Sequence, residues 1–104
     1  MTRELAALIL KRAPVLIEEA ESAGHPRTVE LYDEADDWRE PLRGRTRASL
    51  LEIDIWRAAH AVVMAVSAVF FDAPGDHRES PYFMEKRGEA LVALDRLRRT
   101  LYGS

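Results

Sequence analysis

The chain has 104 residues and a formal net charge of −3, from 18 acidic and 15 basic side chains. This length fits one hydrophobic core and predicts a single domain over residues 1–104. A hydrophobic content of 47% excludes the disordered class. The absence of cysteine excludes disulfides and thiolate metal sites, and the negative charge disfavours nucleic acid as a partner.

The amino-terminal segment has no apolar run followed by a small-residue cleavage site, so no secretory signal is expected. The longest uncharged run covers 14 residues, 58–71, which is shorter than the roughly 20 residues of a membrane-spanning helix. We therefore expect a cytoplasmic protein that does not engage a membrane.

Apolar residues recur three and four positions apart, and strand-like alternation is missing, which predicts an all-α fold. We expect a compact four-helix bundle with helices at about 3–23, 28–40, 47–72 and 81–102. Thr2 is the expected cap of the first helix. Pro14 lacks a donor and clashes with the preceding turn, which predicts a kink or a split there.

The second helix is expected to begin at its cap, Thr28, and to end before Pro41. Ser49 and Glu52 have the spacing of a capping box at the start of the third helix, and Thr46 is a competing cap. Ser80 followed by Pro81 is a clear start for the fourth helix.

The third helix is apolar in nearly every direction, which predicts a central position in the bundle. Its bulky face and its small face are expected to pack against different neighbours. The small face predicts close approach, either of the fourth helix, with which it would form an antiparallel hairpin, or of a second copy of the chain. The bulky face contains Ile55, Val62, Val66 and Val69, and the small face contains Ala58, Ala61, Ala65 and Ala68.

The second helix carries six acidic residues against Arg39 alone. Acidic side chains on a helix are typical of a solvated face, but a patch of one sign also selects and speeds association with a partner of opposite charge. The second interpretation predicts a docking surface for a basic protein. Its candidate residues are Glu30, Asp33, Glu34, Asp36 and Asp37.

Carboxylates also offer ligands to Mg²⁺, and two pairs have a specific spacing. Glu18 and Glu21 form an ExxE motif, and after twelve intervening residues Glu34 and Asp37 form an ExxD motif. This pattern resembles the MazG-like all-α nucleotide pyrophosphatases. The resemblance covers residues 18–37 and implies that the four carboxylates hold Mg²⁺ over a nucleoside triphosphate, which is hydrolysed to a monophosphate and pyrophosphate.

Other residues carry weaker signals. His60 lies on one stripe with Trp56 and Ser67, which would either line a small pocket or be an ordinary polar edge of the third helix. The isolated glycines form no phosphate loop, and no Ser, His, Asp triad emerges. A basic run in the loop after Pro41 is expected to pair with the acidic helix rather than with phosphate; it consists of Arg43, Arg45 and Arg47.

The sequence therefore favours a protein-interaction module without catalytic activity or a cofactor. We expect such a module to bind another protein with a basic surface through the acidic helix. Self-association into a homodimer is a further possibility. Small acidic helical adaptors, antitoxins and immunity proteins are analogous at the level of fold. The alternative is a Mg²⁺-dependent nucleoside triphosphate pyrophosphatase of the MazG-like kind.

Overall fold

The computed structural model describes residues 2–22, 25–44, 46, 49–71 and 80–103. Within these ranges the chain is helical and contains no strand, so the predicted all-α fold is confirmed. Its radius of gyration of 13.5 Å is near the roughly 13 Å of a compact chain of this length. The described ranges contain four α-helices, α1 (Thr2–Ala20), α2 (His25–Asp37), α3 (Leu50–Ala68) and α4 (Pro81–Tyr102), and two short 3₁₀-helices, Glu40–Leu42 and Val69–Phe71.

Helix α1 runs through Pro14 as one element. The split into two helices is therefore wrong, and the kink stays a prediction. Pro14 is exposed while Ala13 and Ile17 beside it are buried, so the ring displaces no core contact and packing maintains the helix. The helix also ends at Ala20 rather than at residue 23, because the Glu21 N–H is shared between the carbonyls of Ile17 and Glu18, both at 3.3 Å, in a tightened last turn.

Helix α2 begins at His25 and ends at Asp37, so the predicted bounds of 28–40 are wrong by three residues at each end. Pro26 lies in the first turn, where its missing N–H costs no intrahelical bond. Thr28 is not the cap but a fully buried residue inside the helix. Pro41 lies within a 3₁₀-helix of its own, Glu40–Leu42.

The start of α3 is at Leu50 rather than at residue 47, and the Ser49 hydroxyl caps it by accepting the Glu52 N–H at 3.2 Å. The α-helix ends at Ala68 and continues as 3₁₀-helix to Phe71; the predicted end at residue 72 lies outside the described residues. Helix α4 has the predicted bounds, 81–102. The Ser80 hydroxyl accepts the Phe83 N–H at 3.3 Å, and Gly103 closes the helix with a φ of 76°, a conformation that glycine adopts without strain.

Helix α3 contacts α1, α2 and α4, as its apolar surface predicts. The four bulky residues of one face are buried, and Ala58, Ala65 and Ala68 on the small face have no exposed surface. Three of the four small-face residues are thus covered within one chain, and Ala61 is partly buried. Among the described helices, none has the length and apolarity required to cross a bilayer.

Helix α1 contacts α2 on one side and α4 on the other. Arg12 bonds to Glu34 of α2, whereas the Arg3 guanidinium donates to the Leu101 carbonyl of α4 at 2.9 Å and Glu21 pairs with Arg87 of α4. Arg3, Arg12 and Glu21 are nine residues apart, which is a rotation of about 180° at each step. Helices α2 and α4 therefore flank α1 from opposite sides.

One buried polar contact joins α3 to α4. The Asp54 side chain is 1% exposed, and its Oδ2 accepts the Thr100 hydroxyl at 2.5 Å. Among the described residues, Asp54 Oδ1 has no hydrogen-bond partner. A buried carboxylate destabilises a fold unless it is hydrogen-bonded, so Thr100 makes this position tolerable.

We predict that Thr100→Val lowers the free energy of unfolding by about 1–3 kcal/mol, because it leaves a buried acceptor without its donor at nearly constant volume. Thr100→Ser keeps the hydroxyl and is the matched control. Urea denaturation measures both variants. Equal stability of the valine and serine variants would show that the hydrogen bond does not stabilise the fold.

Candidate docking site

Helix α2 has one buried face and one exposed ridge. Leu31, Ala35 and Trp38 are buried, and the residues about 180° away on the helix point outward. We call these exposed residues the outer ridge of α2. They are Pro26, Val29, Glu30, Asp33 and Asp37.

Glu34 lies at the side of α2 that meets α1, not on the ridge. Arg12 of α1 donates to both of its carboxylate oxygens, from Nε at 2.8 Å and from Nη2 at 2.9 Å. This bidentate geometry is the strong form of an arginine–carboxylate pair. The Arg12 hydrogen bonds hold the pKa of Glu34 below its ordinary value of 4.5. Glu34 therefore ties two helices together.

Asp36 forms ion pairs with two arginines that follow α2. The Arg39 guanidinium bonds to its Oδ1, and Arg43 Nη2 lies 3.2 Å from the same atom. These contacts, with the Arg39 hydrogen bond as the largest cause, hold the pKa of Asp36 below its ordinary value. Arg43 also pairs with Glu40 at 3.1 Å, as expected for the basic run; Arg45 and Arg47 lie outside the described residues.

Arg27 reduces the charge at the start of the ridge. It pairs with Glu19 of α1 at 2.8 Å and with Glu30 at 3.0 Å. All three side chains are well exposed, so these pairs stabilise the fold little. Glu30 keeps most of its surface open to solvent and can exchange Arg27 for another cation.

Asp33 and Asp37 differ from their neighbours. Both are exposed, and neither forms an ion pair with any residue that the structure describes. They are four residues apart, so they lie on the same side of the helix. Of the five carboxylates predicted for docking, these two face solvent, and no cation in the described part of the chain pairs with them.

The four carboxylates predicted to bind Mg²⁺ do not lie together at one site. Glu18 and Glu21 line an open depression at the end of α1 together with Val15, Glu19 and Ser22. Glu21 is held by Arg87 of α4 at 2.9 Å, and Glu34 is held by Arg12. Within the described ranges, no three metal-ligating side chains come close enough together to hold an ion.

His60 has a partner that sequence reasoning missed. Arg39 Nη1 lies 3.1 Å from His60 Nδ1, and because a guanidinium has only donors, Nδ1 is the acceptor. The Arg39 guanidinium also lies 5.7 Å from the centroid of the Trp56 ring, within the range of a cation–π contact. Arg39 is far from both residues along the chain, so no local pattern could reveal the cluster.

Comparison of the chain with family models, with curated proteins and with solved structures found no match. The function of the chain is therefore inferred from its own geometry.

We predict that Glu34→Gln destabilises the fold at neutral pH by up to about 1 kcal/mol, the range of exposed ion pairs. Because the folded-state pKa of Glu34 is lowered, its stabilisation is complete above the ordinary pKa and is lost as the pH falls through the folded value. The difference in free energy of unfolding between the variant and the wild type should therefore decrease at acidic pH. Urea denaturation at several pH values measures it. Asp33→Asn is the control and should leave the free energy of unfolding unchanged. A loss equal to that of Glu34→Gln would contradict a stabilising role of the Arg12–Glu34 pair.

Proposed function

We propose that this chain is a non-enzymatic protein-interaction module, and that it binds a basic partner through the outer ridge of α2. One observation carries the proposal: Asp33 and Asp37 are exposed on the ridge without a cation among the described residues, while Glu34 and Asp36 beside them are held by arginines. A partner that supplies cations to Asp33 and Asp37 gains charge pairs without breaking an ion pair among the described residues.

The ridge also favours a particular partner chemistry. Val29 is 47% exposed and lies one turn from Asp33, so an apolar contact is available beside the charges. A peptide or helix with arginine or lysine next to an aliphatic side chain fits this combination. Phosphate-rich surfaces do not, because the ridge carboxylates repel them.

We also propose that α3 and α4 form an antiparallel hairpin. Asp54 lies near the start of α3 and Thr100 near the end of α4, and the hydrogen bond between them supports this direction. In this arrangement α4 covers the alanine face of α3 on the side away from α2, so the ridge stays open.

We predict that affinity for a synthetic helical peptide rich in arginine and leucine falls stepwise as Asp33 and Asp37 are neutralised. The double variant Asp33→Asn/Asp37→Asn should bind between about twofold and thirtyfold more weakly, since each exposed pair contributes about 0.2–1 kcal/mol. Titration calorimetry at low and moderate salt measures the effect, which should shrink as salt screens the charges.

The control is Glu18→Gln, which removes the same charge from an exposed residue of α1 outside the ridge and should leave the affinity unchanged. Equal losses for Glu18→Gln and Asp33→Asn would show that net charge, not the ridge, governs binding. Mg²⁺-dependent hydrolysis of a nucleoside triphosphate by the purified chain, abolished by Glu34→Gln in a folded protein, would overturn the proposal in favour of a pyrophosphatase.

A further inference from the structure

The outward side of α4 exposes large apolar side chains. Val92 is 67% exposed and Tyr102 is 63% exposed, and Met84 and Leu91 are also exposed. Val92 is nine residues from both Phe83 and Leu101, which are buried core residues, so it points about 180° away from the core. We call this side the outer face of α4. It contains Met84, Glu85, Gly88, Glu89, Leu91, Val92, Arg96, Arg99 and Tyr102.

Charges on this face are divided at Val92. Glu85 and Glu89 precede it, and Arg96 and Arg99 follow it. Neither Glu85 nor Arg96 forms an ion pair with a residue that the structure describes. The amino-terminal half of the face is therefore acidic and the carboxy-terminal half is basic.

Some residues of α4 have a charge opposite to that of their half of the helix. These charges are compensated by contacts within the chain. In the acidic half, Arg87 is turned toward α1 and pairs with Glu21 at 2.9 Å. Lys86 in the same half is partly buried, pairs with Glu89 at 3.4 Å and lies 5.6 Å from the centroid of the Tyr82 ring. In the basic half, Asp95 accepts from Arg98 at 2.6 Å and from Arg99 at 2.8 Å.

We propose that the outer face of α4 binds a second copy of this chain, with the two α4 helices antiparallel about a two-fold axis at Val92. Positions equidistant from the axis then face each other, as in any symmetric contact of this kind. Glu85 faces Arg99 of the second copy, each seven residues from Val92. Glu89 lies close to Arg96 of the second copy, and each of these contacts occurs twice.

The apolar residues agree with the same arrangement. The two Val92 side chains meet on the axis. Met84, eight residues before Val92, lies within one turn of Tyr102 of the second copy, which is ten residues after it, and a thioether and an aromatic ring attract each other. A parallel arrangement would instead place acid against acid and arginine against arginine. The charge pattern therefore favours a second copy of the chain as the partner and an antiparallel orientation of the two α4 helices.

Gly88 provides an independent argument. Glycine is less favourable than alanine inside a helix, and a Cβ at Gly88 would meet nothing within 4 Å, so no contact within the described chain requires glycine. A helix that packs at an interaxial distance of about 8–10 Å does benefit from a position without a side chain. Gly88 lies one turn from Val92, at the centre of the proposed contact.

This contact does not compete with the outer ridge of α2. Helices α2 and α4 lie on opposite sides of α1, as the contacts of Arg12 and Glu21 show. A dimer joined through α4 would thus carry two α2 ridges, both open to a basic partner.

Sedimentation equilibrium of the full chain tests the proposal. The wild type should form a dimer, and Val92→Glu should raise the dissociation constant at least about tenfold, because it places two like charges on the axis. Leu8→Glu is the matched control, since Leu8 is a comparably exposed residue of α1 outside this face, and it should leave the dissociation constant unchanged. Circular dichroism shows that each variant is folded.

Charge reversal gives a second test that does not depend on Val92. Glu89→Arg and Arg96→Glu should each raise the dissociation constant by severalfold, because each opposes like charges across the axis. The double variant Glu89→Arg/Arg96→Glu restores opposite charges and should return the dissociation constant toward the wild-type value.

Three results would overturn the proposal. The first is a wild-type chain that stays monomeric up to about 1 mM. The second is a dimer that Val92→Glu and Leu8→Glu weaken equally. The third is a double charge reversal that binds no better than the single reversals.

Discussion

Burial of α3 is the constraint on which the rest of the structure depends. An α-helix that is apolar on nearly all sides is stable in water only when other helices surround it. Here α1, α2 and α4 all contact it. The side of each surrounding helix that contacts α3 is committed to the core, and the opposite side is left for solvent or for a partner. The functional surfaces proposed above are these outward sides of α2 and α4.

Arginine determines which acidic side chains remain available. On sequence alone α2 is strongly acidic, but its carboxylates meet arginines from α1, from α2 itself and from the segment after it. Arg12 and Arg39 hold Glu34 and Asp36 in structural pairs. The surface that a partner would encounter is therefore narrower than the sequence indicates, and it is centred on Asp33 and Asp37.

Local signals predicted those parts of the fold that local chemistry determines. Ser80 and Gly103 define α4 because a cap and a left-handed glycine act within one turn. Pro26 is an ambiguous signal, because proline is common both just after one helix and in the first turn of the next. This ambiguity displaced the predicted start of α2 from His25 to residue 28.

The site could be predicted only in part. The sequence identifies the acidic helix, but the pairing of Glu34 with Arg12 spans 22 residues and depends on how two helices pack. Asp54 carried a usable signal, since a carboxylate one turn before the alanine face lies where a neighbouring helix approaches closely. Its partner Thr100 is 46 residues away, beyond any periodic pattern.

Residue-resolved NMR tests most directly the central claim that the bundle presents two independent binding surfaces on opposite sides. The measurement follows amide chemical shifts of the full chain, first on dilution and then with the arginine- and leucine-rich peptide. We expect that dilution moves signals around Gly88, Val92 and Arg96, and that the peptide moves signals around Asp33 and Asp37. Shifts of one shared set of residues in both titrations, or shifts confined to the buried face of α3, would contradict the presence of two separate surfaces.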